Sequence, residues 1–311
     1  AWRYFKAKKT THAINIIAWV SVTAIAVGTA SLIIILSAFN GFESLARSLY
    51  STFYSDIRIS PKLGKIGVLT PAQIQKISLV ADVKAVSLVV EEKALLKNGE
   101  SQTVVTIKGV DKKYPLVSGV PTHMYRGKFD LGNVESPKIV LGVGIENAIG
   151  VLSDRSLAPL FMYLPRKGIN NLKDPLNALA ISEVVPVGSF AIQQEFDNGY
   201  ALTNLPFLKE TLGYAPDEFS AVEISISNQK SLSDIQDAIK KIVGEQMLVQ
   251  SRMEQNRTLY NTIRLEKWVI FGIFSLILLV AAFTMVGALT MLVLEKKQDI
   301  YILKALVQIN L

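Results

Sequence analysis

The 311-residue chain is 50% hydrophobic and 19% charged, with a mean hydropathy of +0.33. Soluble domains usually carry about 25% charged residues, so the composition leans toward a membrane protein with roughly two domains' worth of chain. It has no cysteine and only two histidines, His12 and His123. That excludes a disulfide framework, a thiolate metal site, a cysteine nucleophile and an iron–sulfur cluster, and leaves little for zinc or a histidine-based triad.

Residues 13–42 form an uncharged run, and Trp268–Leu294 form a second. A spanning helix needs about 20 apolar residues, so both runs are predicted to cross a bilayer, and charged residues recur too often between them for a third. A cleaved signal peptide, the alternative for the first run, would have an apolar core of only about 7–15 residues. A buried core helix, the alternative for the second, rarely goes so long without a charge. Arg3, Lys6, Lys8 and Lys9 precede the first run with no acid among them, which predicts a cytoplasmic leader over residues 1–12. The tail, with Lys296, Lys297 and Lys304, returns to the same side, leaving residues 43–267 extracytoplasmic. Of the net charge of +7, the leader carries +4 and the tail +1, so only +2 falls on the segment between them. The basic total is a topology signal, and nucleic-acid binding, which needs clustered charge, is not predicted.

Along the first span Ser21, Ala24, Gly28 and Ser31 recur at helical spacing, a small-residue face that predicts close helix packing. The extracytoplasmic segment reads as α+β. Asp56–Ser60 alternates like a strand and stops at Pro61. Thr70-Pro71 supplies an N-cap and a first-turn proline for a helix to about Leu79. Val83–Leu96 and Gln102–Val110 flank Asn98-Gly99, a strong hairpin signal. Lys138–Leu141 leads through Gly142-Val-Gly144 into a helix ending near Ile149, and Leu160–Leu164 and Ala178–Phe190 read as strands. Ala221–Ser227 alternates, Ser231-x-x-Asp234 looks like a helix start, and Gln246–Ser251 is a further strand. Strand–helix–strand at both ends predicts one split subdomain, 43–110 with 221–251, and an inserted, mainly β subdomain over 111–220.

Catalytic chemistry finds no footing. Glu43, Asp56 and Glu91-Glu92 are not paired by any spacing that suggests general acid–base work. Gly142 and Gly144 lack the third glycine and downstream acid of a dinucleotide fingerprint, and no nucleotide-binding P-loop is present. Pro165–Pro175 is a polar segment bracketed by prolines, read from composition as a solvated loop. After the second span, charges at 295–299 precede Ile300, Leu303 and Leu306 at i, i+3, i+6. This is a short amphipathic helix for the cytoplasmic membrane face or a partner's groove.

Several of these segments resemble one family. Trp2-Arg-Tyr-Phe5, Ile25-Ala-Val-Gly28, Leu36-Ser-Ala-Phe-Asn-Gly-Phe-Glu43 and Glu295–Leu306 are similar to the lipoprotein-releasing ABC transporter permeases of the LolC/LolE type. Ile107–Asp111 and Ile139–Gly144 are similar to a MacB-like periplasmic core domain, and the permease region is FtsX-like. The family has four spans, so the resemblance implies a chain truncated after the coupling helix. It implies a non-catalytic subunit of the bacterial inner membrane. Such a subunit would pair with a second permease and with a cytoplasmic ABC ATPase dimer, where ATP and Mg would bind; this chain itself would hold no cofactor and no metal. The implied function is extraction of acylated lipoproteins from the outer leaflet and transfer to a periplasmic carrier. Glu295, Lys297, Asp299, Ile300, Leu303 and Lys304 would couple to the ATPase. Leu36, Phe39, Asn40, Phe42, Phe271 and Phe274 would seat acyl chains. Pro165, Arg166, Lys167, Ile169, Asn170, Leu172 and Pro175 would form a carrier-binding loop. The alternatives are a MacB-like mechanotransmitting efflux permease and an FtsX-like signalling permease controlling a cell-wall hydrolase.

Overall fold

The computed structural model describes residues 12–155, 159–165, 179–295, 297 and 301. In chain order the elements are α1 (His12–Phe53), β1 (Ile57–Pro61), β2 (Gly67–Val68), α2 (Pro71–Ser78), β3 (Val83–Asn98), β4 (Ser101–Val110), β5 (Met124–Gly127), β6 (Lys138–Gly142), α3 (Val143–Ala148), β7 (Leu160–Pro165), β8 (Leu179–Phe190), α4 (Gln194–Gly199), β9 (Tyr200–Asn204), α5 (Leu205–Leu212), β10 (Glu218–Phe219), β11 (Ala221–Ile226), α6 (Leu232–Val243), β12 (Met247–Ser251), α7 (Arg252–Gln255) and α8 (Arg257–Glu295). They divide into two compact units, one of residues 1–45 with 258–311 and one of residues 46–257.

The first unit is a pair of long apolar helices. Val22–Phe53 in α1 and Tyr260–Met291 in α8 are each long and apolar enough to cross a membrane. At 1.5 Å per residue the 42-residue α1 is about 63 Å long, roughly twice the ~30 Å of bilayer hydrocarbon. Both helices therefore run well past the uncharged stretches. Charge marks where a helix leaves hydrocarbon, whereas helix continuation depends on propensity and packing. Residues 43–53 and 257–267 are consequently helix, where the sequence pattern assigned them only to an extracytoplasmic domain.

In the second unit, nine strands pair in the order β12-β1-β11-β3-β4-β9-β6-β8-β5, and β7 bridges β8 to β3. Following the pairs β3–β4–β9–β6–β8–β7–β3 returns to the starting strand, so six strands close into a ring. The closure is possible because β3 is long. One of its edges pairs with β4 over Val89–Asn98; the other pairs first with β11 over Val83–Val89 and then with β7 over Leu95–Lys97. Inside the ring lies a core that includes Val90, Leu96, Ile107, Ile139, Met162 and Leu164, sealed by apolar side chains of α3 and α5. Gly109 lets α5 lie against β4, since a Cβ there would come within 2.8 Å of Leu208.

A second core sits where α2 and α6 cover one face of β12-β1-β11-β3, with Ile57, Ile59, Ile77, Val222, Ile224, Ile235 and Ile239 buried in it. Thr70 caps α2 with a full capping box to Gln73, and Gly99 turns the β3–β4 hairpin at φ +57°. Ser231 stands at the N-cap of α6 but makes no cap bond; its hydroxyl donates to Asp82 Oδ2 at 2.9 Å instead. The outer half of β3 and all of β4 complete the ring with the inserted strands, so the two cores separate within β3.

Candidate functional site

Two places concentrate chemistry, one in each unit. In the helix pair, Leu36 of α1 and Arg264, Lys267, Trp268 and Phe271 of α8 line an open recess of about 310 Å³. Arg264, Lys267 or Trp268, and Phe271 fall at i, i+3 or i+4, and i+7, the spacing of one helical face. Leu36, Asn40 and Glu43 repeat that spacing on α1. Lys267 Nζ donates to Asn40 Oδ1 at 2.7 Å and lies 3.7 Å from Glu43. The recess wall is almost wholly apolar, so Arg264 and Lys267 line it with their alkyl stems, while the Lys267 ammonium gathers Asn40 and Glu43 beside it. Deeper along the pair, Gly28 is buried, and a Cβ on it would come within 3.3 Å of Leu278.

Of the six residues proposed to seat acyl chains, Leu36 and Phe271 line this recess and Asn40 braces its rim. Phe39 and Phe274 are half-buried outside its lining, and Phe42 is 57% exposed. Arg264, Lys267 and Trp268 were missed, although an aromatic and basic cluster just before an apolar run marks an interfacial anchor. On the small-residue face Gly28 meets the neighbouring helix, Ala24 is exposed and Ser31 half-buried; Ser21 lies in α1. Glu295 closes α8, and Lys297 is helical and exposed, its ammonium 6.0 Å from the Tyr301 ring. Asp299, Ile300, Leu303 and Lys304 lie outside the described residues. So do Arg166, Lys167, Ile169, Asn170, Leu172 and Pro175, leaving Pro165, the last residue of β7, as the described member of the carrier-loop set.

The second place is a buried ionic and aromatic junction around the end of α1. Arg58, Glu223, Glu91 and Lys108 project from β1, β11, β3 and β4, with Arg58 opposite Glu223 and Glu91 opposite Lys108 in the registers. Arg58 forks onto Glu91 with bonds of 3.1 and 2.6 Å, and Glu223 Oε1 accepts from both Arg58 (2.9 Å) and Lys108 (2.6 Å). Lys108 and Glu223 are each only 1% exposed. Over this layer sits Phe53, with its ring centroid 5.1 Å from Lys108 Nζ and its ring stacked on Phe196 at 4.3 Å. Asp56 takes bonds from Ile226 N, Gln229 and Arg252, while Arg252 and Gln255 donate to the carbonyls of Tyr54 and Ser55. The chain's entry into this unit and its exit are thereby knotted together.

Burial alone would raise the Glu91 pKa, but Arg58 and Lys108 outweigh it and hold the carboxyl at about 2. For Lys108, burial works against the charge and is overcome chiefly by Glu223, so its pKa stands above the ordinary lysine value. Burial pushes the Tyr114 hydroxyl up to about 12. A carboxyl whose folded pKa lies below its unfolded value stabilises the fold above the unfolded pKa, and that contribution vanishes as pH falls through the folded value. The Glu91 contribution is therefore expected intact above about pH 4.5 and lost between there and about pH 2. Urea midpoints of the segment 46–257 measured across that window check this, and a Glu91→Gln variant whose midpoint falls just as steeply would contradict it.

This geometry ties β1, β11, β3 and β4 to one another beneath the end of α1. Glu91 faces cations and not a second carboxyl, and among the described residues no group of three or more His, Asp or Glu is placed to hold a metal ion. Gly142 and Gly144 open α3 where a Cβ would strike the Asp197 carbonyl and the Asn198 side chain; they serve close packing on α4.

Comparison with known proteins gives these features a context. Residues 18–160 match the MacB-like periplasmic core domain. The chain is 27% identical to the lipoprotein-releasing system transmembrane protein LolE of Haemophilus influenzae, over 98% of this chain and 73% of that protein. It is 26% identical to the corresponding LolC of Neisseria meningitidis serogroup B, again over 98% and 73%. The crystal structure of the periplasmic region of MacB from Actinobacillus actinomycetemcomitans superposes with a TM-score of 0.47 at 11% identity, covering 70% of this chain and 98% of that one.

Proposed function

We propose that this chain, similar over 98% of its length to LolC/LolE-type permeases and matching a MacB-like periplasmic core domain over residues 18–160, extracts acylated lipoproteins from the outer leaflet of the bacterial inner membrane and passes them to a periplasmic carrier. The observation that supports this reading is the recess between α1 and α8, whose wall is almost wholly apolar and includes Leu36, Trp268 and Phe271. Acyl chains are stabilised in a membrane by roughly 0.8 kcal/mol per buried CH₂, so removing two or three of them requires an external source of work. A cytoplasmic ATPase dimer binding ATP and Mg supplies it. In this reading both termini of the segment face the cytoplasm, and Glu295, Lys297, Asp299, Ile300, Leu303 and Lys304 dock in the ATPase. Its closure passes through α8 and α1 to residues 46–257 of this permease and a second one. Residues 165–175, which start at the last residue of β7, receive the carrier.

Photocrosslinking tests the recess. A benzoylphenylalanine at position 36 or 271 is expected to capture acylated lipoprotein in membranes containing the complete complex, whereas one at Val286, exposed elsewhere on α8, is not. Phe271→Ala removes a half-exposed ring worth about 1.4 kcal/mol of apolar contact, so release to the carrier should fall about tenfold. Equal capture at all three positions, with release unchanged, would overturn the assignment. The MacB-like efflux alternative shares the core domain and predicts no lipoprotein adduct at any of them.

A further inference from the structure

The lipoprotein reading leaves the charge at the edge of the recess unused. An acyl group in ester, thioether or amide linkage is neutral, yet Arg264 and Lys267 line the apolar recess with their alkyl stems beside Trp268 and carry their charges at its edge. Lys267 is held by Asn40 and Glu43. Arg264 is exposed and forms no ion pair among the described residues. Glu266, the nearest acid in sequence, stands two residues away, a separation at which helical side chains do not face one another. Arg264, Lys267 and Glu43 together leave one net positive charge at that edge. Phe271 lies two turns of α8 further along, on the same face as Arg264. The order along the recess is therefore cation, indole, then hydrocarbon wall, the order a phospholipid presents as phosphate, glycerol backbone and acyl chain.

We infer that the recess also holds an anionic phospholipid, with its phosphate on Arg264 and one acyl chain against Leu36 and Phe271. This rests on the reading of the recess as open to acyl chains, and adds a resident lipid that a lipoprotein must displace. A basic side chain at a membrane surface favours an anionic headgroup by about 1 kcal/mol, which is about fivefold in occupancy.

The test uses the complete complex in membranes, with phosphatidylglycerol or phosphatidylcholine carrying the same photoactivatable acyl chain. Adducts are mapped by mass spectrometry to the peptides containing Leu36 and Phe271. Phosphatidylglycerol should label them about fivefold more than phosphatidylcholine, Arg264→Gln should bring the ratio to about one, and Arg264→Lys should restore most of it. Equal labelling by the two lipids in the parent, or a preference untouched by Arg264→Gln, overturns the headgroup assignment while leaving acyl access intact. No labelling by either lipid overturns acyl access as well.

Discussion

Lys108→Met is expected to destabilise residues 46–257 by about 3–5 kcal/mol, the usual cost of removing one partner from a buried ion pair. Methionine preserves most of the side-chain volume, so the loss is electrostatic. Glu223, 1% exposed, would keep only Arg58, and Arg58 is already committed to both oxygens of Glu91. Its Oε2 has no hydrogen-bond partner among the described residues even in the parent, which leaves no spare donor to compensate. Glu223→Met should cost about as much, because Lys108 would fall back on Glu91 at 3.4 Å. The double variant Lys108→Met/Glu223→Met is the informative one. Replacing a whole buried pair by apolar side chains is often close to neutral, so it should be clearly more stable than the sum of the two singles. Urea unfolding of the segment 46–257 gives all three values. Singles below about 1 kcal/mol, or strictly additive effects, would mean that the network is more hydrated than its burial indicates.

The same residues explain what the sequence could and could not reveal. The two spans, the Thr70 cap, the Asn98-Gly99 hairpin and most strands are local signals, carried by composition, period or turn chemistry. The ionic layer was legible only as a contradiction. In Ile57-Arg58-Ile59 and Val222-Glu223-Ile224 the apolar residues point to the α2/α6 core, and alternation assigns the charged ones to water. Here the opposite face of the sheet is covered too, by Phe53, Tyr54, Phe196 and Tyr200, so the charges are buried and must satisfy one another. Phe53 comes from the last turn of a helix whose apolar run ends eleven residues earlier, and Phe196 and Tyr200 come from α4 and β9. Ring closure was hidden for a related reason: β7 meets β3 across more than sixty residues, and no local pattern reports a partner that distant. For the recess, the phenylalanines of the apolar runs drew attention, while the lining falls one turn outward, where Arg264, Lys267 and Trp268 approach Leu36.

Under the proposed function, Phe53→Ala should separate ATP turnover by the partner ATPase from lipoprotein transport. Phe53 is 1% exposed, stacked on Phe196, 4.7 Å from the Tyr200 ring and edge-on to Tyr54, so removing the ring should cost about 3–5 kcal/mol of local stability. The backbone at the end of α1 is secured independently: the Thr52 carbonyl accepts from Gly119 N and Ser118 Oγ, and Asp56 holds Arg252. The variant should therefore fold, with a loosened seat for the helix end. If closure of the ATPase travels along α1 into residues 46–257, that looseness dissipates displacement where helix meets sheet, and nothing in it reaches the cytoplasmic contact. Basal ATP hydrolysis of the complete complex should stay within about twofold of the parent, while lipoprotein release falls about tenfold or more. Phe53→Leu, which refills most of the volume at a cost of about 1 kcal/mol, should recover most of the release. A parallel fall in hydrolysis and release would place the defect in assembly. Unchanged release with a confirmed loss of stability would show that the junction bears structure only, and that motion reaches the domain by another route.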